Sequence, residues 1–429
     1  MNTRLTLSIA VVMLVIGVVY MLDLKKTAKN TEEKYENSRV FHFSYEDVTY
    51  FSVFRNSELL SFEKKDGLWF LTSPENALAE EAYTDNLLNI ALNLTVEKVV
   101  EKDPSNLSEF GLQPPFMILT LKSADKEQSV LIGAQTYSQI SYFAKRDGNN
   151  ELFTVNNIGL TDFESSFNKF ISNSIVVINP KKSYFVSIKT EKNLMELSRS
   201  YDFWSELKDN SRWNVNSENA DKEKVEHFLL SLKSAEIFKN HGKALNKNEI
   251  EEKSVITIVF KQDSLPDEIL FISEGETGFY RCFNNLSGDL YDVKKSVLDN
   301  IIPKDYKYFL DLHLMKNPIS LYEKIEISYK NDKGTIEIKR DKSNNWKLIK
   351  DDENALNNIL MTLQELEYNP DSEFTSKVEL YLTIFLKGFT EDISDNIEIY
   401  KAGEKYFTKI SEKYYEVDAK HFLKAISQQ

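Results

Sequence analysis

The side chains with reactive chemistry are few and scattered. The five histidines are His42, His227, His241, His313 and His421, and no two fall at metal-ligand spacing on a predicted helix. Cys282 stands alone, so no intramolecular disulfide is available. His227 lies beside an apolar stripe and reads as a partly buried or surface histidine rather than a ligand. Asp147-x-Asn149-x-Glu151 faintly resembles a calcium loop, but the glycine and the distal glutamate that such a loop needs are missing, and Asp147-Gly148 reads as a hairpin turn. Gly275-Glu276-Thr277-Gly278 is short and acidic, again a turn. Neither a phosphate-binding Gly-x-x-x-x-Gly-Lys-Ser/Thr, a dinucleotide Gly-x-Gly-x-x-Gly nor a Gly-x-Ser-x-Gly elbow occurs. The acidic pairs Glu251-Glu252 and Asp351-Asp352 have no partner that would make them an acid–base couple. Tyr414-Tyr415 and Tyr306-x-Tyr308-Phe309 have the spacing of core residues more than of a sugar-stacking platform. The expectation is a protein without catalytic, cofactor or metal residues.

Composition agrees with a structural or interaction role. The 429 residues are 41% hydrophobic, with 27 Phe and 21 Tyr, enough for several packed cores. Only 13 glycines are present. The net charge is −14, and residues 1–30 carry an excess of positive charge, so the remainder is more acidic than the whole. Such a surface repels nucleic acid and anionic lipid. A single cysteine excludes a disulfide-stapled secreted scaffold and leaves no acylation site behind a leader.

Leu5 to Leu22 reads LTLSIAVVMLVIGVVYML without a charge. As a helix it would span about 27 Å at 1.5 Å per residue, close to a bilayer core. Tyr20-Met21-Leu22-Asp23-Leu24 offers no small-x-small cleavage site, so an uncleaved transmembrane anchor is expected, with 1–30 as anchor and tether. Arg4 favours the N-terminus inside, whereas Lys25, Lys26 and Lys29 favour the opposite, and charge alone leaves the orientation open.

Beyond the anchor the chain repeats itself. Trp69, Trp213 and Trp346 each follow a stretch of alternating residues broken by a polar turn, the pattern of a half-buried hairpin. The second stretch carries an insertion with Trp204. An i, i+3, i+4, i+7 stripe follows each tryptophan: Leu87, Ile90, Ala91 and Leu94; Val225, Phe228, Leu229 and Leu232; Leu356, Ile359, Leu360 and Leu363. Four strands and a short amphipathic helix then complete each copy, the helices marked by Phe163 and Phe167, Val297 and Ile301, and Phe422 and Ile426. This predicts an α+β fold: a transmembrane helix, then three tandem modules over 37–170, 171–308 and 309–429, each a mostly antiparallel sheet with helices on one face. Short linkers without Gly/Ser-rich stretches predict abutting modules in a fairly stiff rod.

Asn106-Leu107-Ser108-Glu109-Phe110-Gly111-Leu112-Gln113-Pro114-Pro115 resembles the Leu-x-x-Tyr/Phe-Gly-Leu-x-x-Pro segment of the bacterial family DUF4340, a domain of unknown function. Leu107, Phe110, Gly111, Leu112 and Pro114 match it, and Gly133 stands at the strand-ending glycine of Val130-Leu131-Ile132-Gly133. The second and third copies lack this segment. The resemblance implies a membrane-anchored extracytoplasmic accessory subunit of gliding-motility-type ABC transport systems, not an enzyme. The expected partners are thus an ABC permease or another anchored subunit, with no nucleic acid; a cell-envelope glycan or peptidoglycan is the alternative ligand.

Overall fold

The computed structural model describes residues 38–156, 158–200, 212–244, 246–330, 335–348, 353–390, 393–410 and 412–427. The expected anchor and tether, the Trp204 insertion and the Asp351-Asp352 pair lie outside the described residues. No helix among the described residues is long and apolar enough to cross a membrane.

By internal contacts the chain forms two compact units. One gathers residues up to Ser183 with Leu232–Leu298, the other Tyr184–Ser231 with the chain from Asp299 onward. Among the described residues there are three sheets, of nine, nine and eight strands. The first unit contains the whole first sheet: β1 (Tyr50–Arg55), β2 (Glu58–Lys65), β3 (Leu68–Ser73), β4 (Ala77–Leu78), β5 (Val96–Glu101), β6 (Met117–Lys122), β7 (Glu127–Gln135), β8 (Ser141–Arg146) and β9 (Leu152–Asn156). Their order is β4-β3-β2-β1-β6-β7-β8-β9-β5.

Two further runs of strands follow, one in each unit. β10 (Ser183–Thr190), β11 (Leu194–Ser200), β12 (Arg212–Val215) and β13 (Glu218–Ala220) run in the order β13-β12-β11-β10. β14 (Lys239–Lys243), β15 (Ile256–Gln262), β16 (Glu268–Glu274), β17 (Phe279–Asn284) and β18 (Asp289–Lys294) run β15-β16-β17-β18-β14. The third sheet, in the second unit, comprises β19 (Tyr322–Tyr329), β20 (Thr335–Arg340), β21 (Trp346–Leu348), β22 (Tyr368–Phe374), β23 (Glu379–Gly388), β24 (Ser394–Ala402), β25 (Lys405–Ile410) and β26 (Lys413–Val417), ordered β21-β20-β19-β23-β24-β25-β26-β22.

The hairpins form as alternation predicts. Phe51 faces Phe62 and Val53 faces Leu60 across β1 and β2, with the two phenylalanine rings stacked at 4.4 Å. Asn56 and Ser57 both have positive φ at the turn, as do Asn216 and Ser217 between β12 and β13, the backbone that a right-twisted two-residue hairpin turn demands. Each tryptophan then pairs with a cation on the preceding strand. Lys64 faces Trp69, Arg199 faces Trp213 and Arg340 faces Trp346, with the charged groups 5.6, 5.8 and 4.4 Å from the rings. Pairs of this kind contribute about 0.5–1 kcal/mol at partly exposed sites.

Twelve-residue helices follow the tryptophans: Glu81–Leu92, Lys222–Lys233 and Glu353–Gln364. Trp69 shares one core cluster with Leu87, Ala91 and Leu94, and Ile90 packs at its rim. Val225, Phe228, Leu229 and Leu232 are all buried. Leu356, Ile359 and Leu363 join the third core, with Leu360 and Trp346 at its margin.

Three details differ from the sequence expectation. The short strands β4 and β13 stand between the tryptophan strands β3 and β12 and their helices. A strand intervenes between each helix and the four expected strands: β5, β14 and β22, each crossing to the far edge to pair with β9, β18 or β26. The closing helix of the first copy is two short 3-10 turns, Leu160–Glu164 and Phe167–Phe170, in which Phe163 and Phe170 are buried while Phe167 is exposed. In the second, Lys295–Ile301, Leu298 and Ile302 are buried rather than Val297 and Ile301. Phe422 and Ile426 of Lys420–Ser427 are buried as expected.

The Leu107–Pro114 segment has a packing role. Gly111 adopts a left-handed backbone at the end of the 3-10 turn Leu107–Phe110, and Phe110 packs edge-on against Phe143 of β8 at 5.1 Å. This brings the carbonyl of Phe110 so close to Gly133 that a Cβ there would sit 2.2 Å from it. Gly133→Ala is therefore expected to destabilise the first unit by about 1–3 kcal/mol, the range for overpacking. Chemical denaturation of the variant checks this; an unchanged midpoint would show that the segment yields freely.

Candidate functional site

The most regular feature of the molecule is how each module receives its chain. Arg39, Ser174 and His313 form antiparallel bridges with Thr95, Glu236 and Glu367, just after the three twelve-residue helices. The next residue donates in each case: Val40 N–H to Leu94 O at 2.8 Å, Ile175 to Ala235 at 3.2 Å and Leu314 to Leu366 at 2.9 Å. Two residues on, the backbone N–H of His42, Val177 and Lys316 donates to a side chain early in the second of the four later strands. The acceptors are Gln128 at 2.9 Å, Glu268 at 2.7 Å and Asp395 at 2.8 Å. These acceptors occupy one register, opposite Leu121, Phe260 and Leu386.

The departing chain is held just as regularly. Ile171 bridges Ala79 and Leu310 bridges Ala220. Glu80 donates to Phe170 O and Asp221 to Phe309 O, both at 2.8 Å; Ser172 donates to Leu78 O at 2.9 Å and Asp311 to Asn219 O at 3.0 Å. A junction is thus hydrogen-bonded to the module it leaves and, three residues later, to the module it enters. The first junction lies wholly in the first unit and the second wholly in the second.

At the first junction Glu268 is fully buried. Its Oε1 accepts from Val177 and, at 2.5 Å, from Asn284 Nδ2, which also donates to Ile175 O at 3.1 Å. Tyr291 donates to the same carbonyl at 2.6 Å, and Gln262 accepts from Asn179 N–H at 2.9 Å. Glu268 Oε2 and Gln262 Nε2 have no hydrogen-bond partner among protein groups. Burial pushes the Glu268 carboxyl from 4.5 up to about 7, against the pull of Asn284 and the donating backbone.

The second junction carries different chemistry on the same frame. His313 Nδ1 lies 2.8 Å from Asp311 and Nε2 3.2 Å from Glu367. The hydrogen bond to Asp311 raises the imidazole above its usual value, with the charges of Asp311, Glu367 and Asp221 adding to the effect against partial burial. Beside it opens a cleft of about 360 Å³ lined by Glu218, Asp311, His313, Lys316, Tyr368 and Lys409 among others. Burial, then the Glu218 charge, pushes the Tyr368 hydroxyl up to about 12.

The residues singled out in the sequence are dispersed. His42, His227 and His421 are exposed, and His241 bonds Asp292 at 2.7 Å. Cys282 is fully buried, which raises its thiol well above the usual range. Asp147 and Asn149 accept from Gly148 and Glu151 within their own turn. Gly275 donates to Phe279 O in a turn of its own, and Glu251 and Glu252 are exposed at the end of a short helix. Tyr414 packs on Tyr400 at 5.0 Å and Tyr415 on Tyr368 at 5.4 Å, while Phe309 packs on Phe228 at 5.3 Å. No group of three or more His, Cys, Asp or Glu placed to hold a metal occurs among the described residues. His313 meets a concave, titratable setting at a junction, and His42, on the segment that enters the first sheet, lines a cleft of about 520 Å³ with Asp47, Asp125 and Lys126. Sequence spacing could not reveal the His313 setting, because Asp311 is local but Glu367 and Glu218 arrive from other strands.

Residues 69–238 match the family described as Domain of unknown function (DUF4340). The match covers less than half of the 429 residues and includes the Leu107–Pro114 segment and Gly133. No curated protein and no solved structure matches the chain. The DUF4340 segment is out of phase with the sheets: it opens in β3 at Trp69 and closes just before β14, thereby enclosing the first junction with Glu236 but not Glu268.

Glu268 gives a pH test of that junction. Below its ordinary value of 4.5 the carboxyl is protonated in both folded and unfolded chains. Between 4.5 and about 7 only the unfolded chain ionises, so the stability conferred by the raised value is lost as pH climbs through that window. Glu268→Gln retains an acceptor for Val177 and cannot ionise. Its melting temperature is expected to match wild type near pH 4 and to exceed it at pH 8 by about 6–12 °C, because a rise from 4.5 to about 7 is worth ~3 kcal/mol and ~1 kcal/mol shifts a domain of 150–250 residues by about 2–4 °C. A variant less stable than wild type at pH 8 would show that the ionised form is the one that grips the segment.

Proposed function

We propose that this protein is a non-catalytic scaffold, anchored by residues 5–22, whose tandem modules present extended surfaces to partner proteins. The observation that carries the reading is the repeated junction, in which the chain is hydrogen-bonded to one module and, three residues on, to the next. An enzyme needs one converging set of groups, whereas a repeated, hydrogen-bonded frame serves reach and the fixed spacing of surfaces. The chemistry of the junctions varies while their backbone does not. The acidic composition gives those surfaces a preference for basic partner faces.

The family resemblance supplies the setting: an accessory subunit on the outer face of the cytoplasmic membrane, in contact with an ABC permease or a related anchored subunit. Affinity capture of the full-length chain in mild detergent is expected to recover membrane transport subunits, and recovery of none counts against the reading. Protease added to intact spheroplasts is expected to digest the C-terminal module from outside. Protection until lysis would move the modules to the cytoplasm and overturn the extracytoplasmic assignment.

A further inference from the structure

The two junctions form an internal comparison. Their hydrogen bonds fix residue-by-residue equivalence: Ala79 with Ala220, Ile171 with Leu310, Ser174 with His313, Glu236 with Glu367, and Val177 with Lys316. Extending that register pairs Ala77 with Glu218, Ser172 with Asp311 and Ile237 with Tyr368. The first junction builds the frame from Ala, Ser, Ile and Val. The charged and aromatic side chains of the second are therefore surplus to what the backbone requires, and they converge on one cleft.

Most of these charged groups have a partner within the protein. Asp311 and Glu367 share His313, and Lys409 pairs with Glu412 at 2.7 Å. Among the described residues neither Glu218 nor the Lys316 ammonium takes part in an ion pair, and they do not come within pairing distance of each other. The cleft wall thus offers one uncommitted carboxylate and one uncommitted ammonium, with the Tyr368 ring beside them. A ligand complementary to this wall carries both signs of charge, set further apart than the 4 Å of a direct ion pair.

We infer that the second junction is a binding site for a small zwitterion of the short-peptide class, its ammonium directed to Glu218 and its carboxylate to Lys316. The site is independent of the transport reading, since it depends on the cleft alone. His313, held between two carboxylates, positions Asp311 and the bridge to Glu367 rather than meeting the ligand's charge.

Calorimetric titration of the full-length chain with L-alanyl-L-alanine tests this. Saturable binding of the dipeptide is expected, with at least tenfold weaker binding of its N-acetylated, C-amidated form. Glu218→Ala and Lys316→Val each install the residue that the first junction already carries, so folding is expected to persist, as circular dichroism will show. Each is expected to weaken the dipeptide at least tenfold. Absence of heat at millimolar dipeptide, equal binding of the capped form, or unchanged binding in both variants would each overturn the proposal. Binding of chitotriose in place of the dipeptide would overturn it in favour of a neutral glycan.

Discussion

Backbone hydrogen bonding along the connecting segments is the constraint on which the rest of the structure depends. A segment between two sheets has its own N–H and C=O groups to satisfy, and burial without partners would cost about 1–3 kcal/mol for each. Here the segment is treated as a strand twice within a few residues, first by Ala79 or Ala220, then by Glu236 or Glu367. Side chains complete what the strands cannot reach: Gln128, Glu268 and Asp395 each capture the N–H that follows the second bridge. Asp395 also accepts the Tyr322 hydroxyl, which ties the first strand of the third sheet to the same acid. Because the frame is the same each time, the side chains decorating it are free to differ. That freedom separates a first junction whose polar groups are buried, Glu268 among them, from a second whose charges line a cleft.

A second layer of repetition holds each sheet to its helix. Trp69, Trp213 and Trp346 bring a large ring to the strand nearest the helix, and the cation opposite lies over the ring. The Arg340 guanidinium is held there by the carbonyls of Tyr322, Asn344 and Ile319, so the cation is fixed over its ring by the backbone around it. The first copy adds the Leu107–Pro114 segment, whose approach to Gly133 leaves no room for a side chain.

Much of this was legible beforehand, for identifiable reasons. Alternation with Asn-Ser or Asp-Gly turns disclosed the hairpins, and the i, i+3, i+4, i+7 stripes disclosed the helices, because both are local patterns. β5 and β14 were hidden: Val96-Glu-Lys-Val-Val-Glu101 and Lys239-Asn-His-Gly-Lys243 are edge strands exposed along most of their length, and edge strands carry charge in place of apolar alternation. Phe167 misled because two 3-10 turns, Leu160–Glu164 and Phe167–Phe170, stand where one helix was expected, and the second buries Phe170 and exposes Phe167. The junction cleft could not be read from spacing at all. Its groups come from β13, the connecting segment, β22 and β25, and only the folded register brings Glu218, His313, Lys316 and Tyr368 together.

The position of the edge strands has a consequence for biosynthesis. β5 leaves the ribosome before β6 to β9, yet its only partner in the sheet is β9, so Val96 must wait for Val155. The same holds for Lys239 and Asp292, and for Tyr368 and Val417. Each sheet can grow its inner strands as they are made, but its last edge closes only when the final hairpin has emerged. Through that interval the nascent chain carries an unpaired strand, and the Glu, Lys, Asn and Asp residues along these three strands keep it hydrated while it waits.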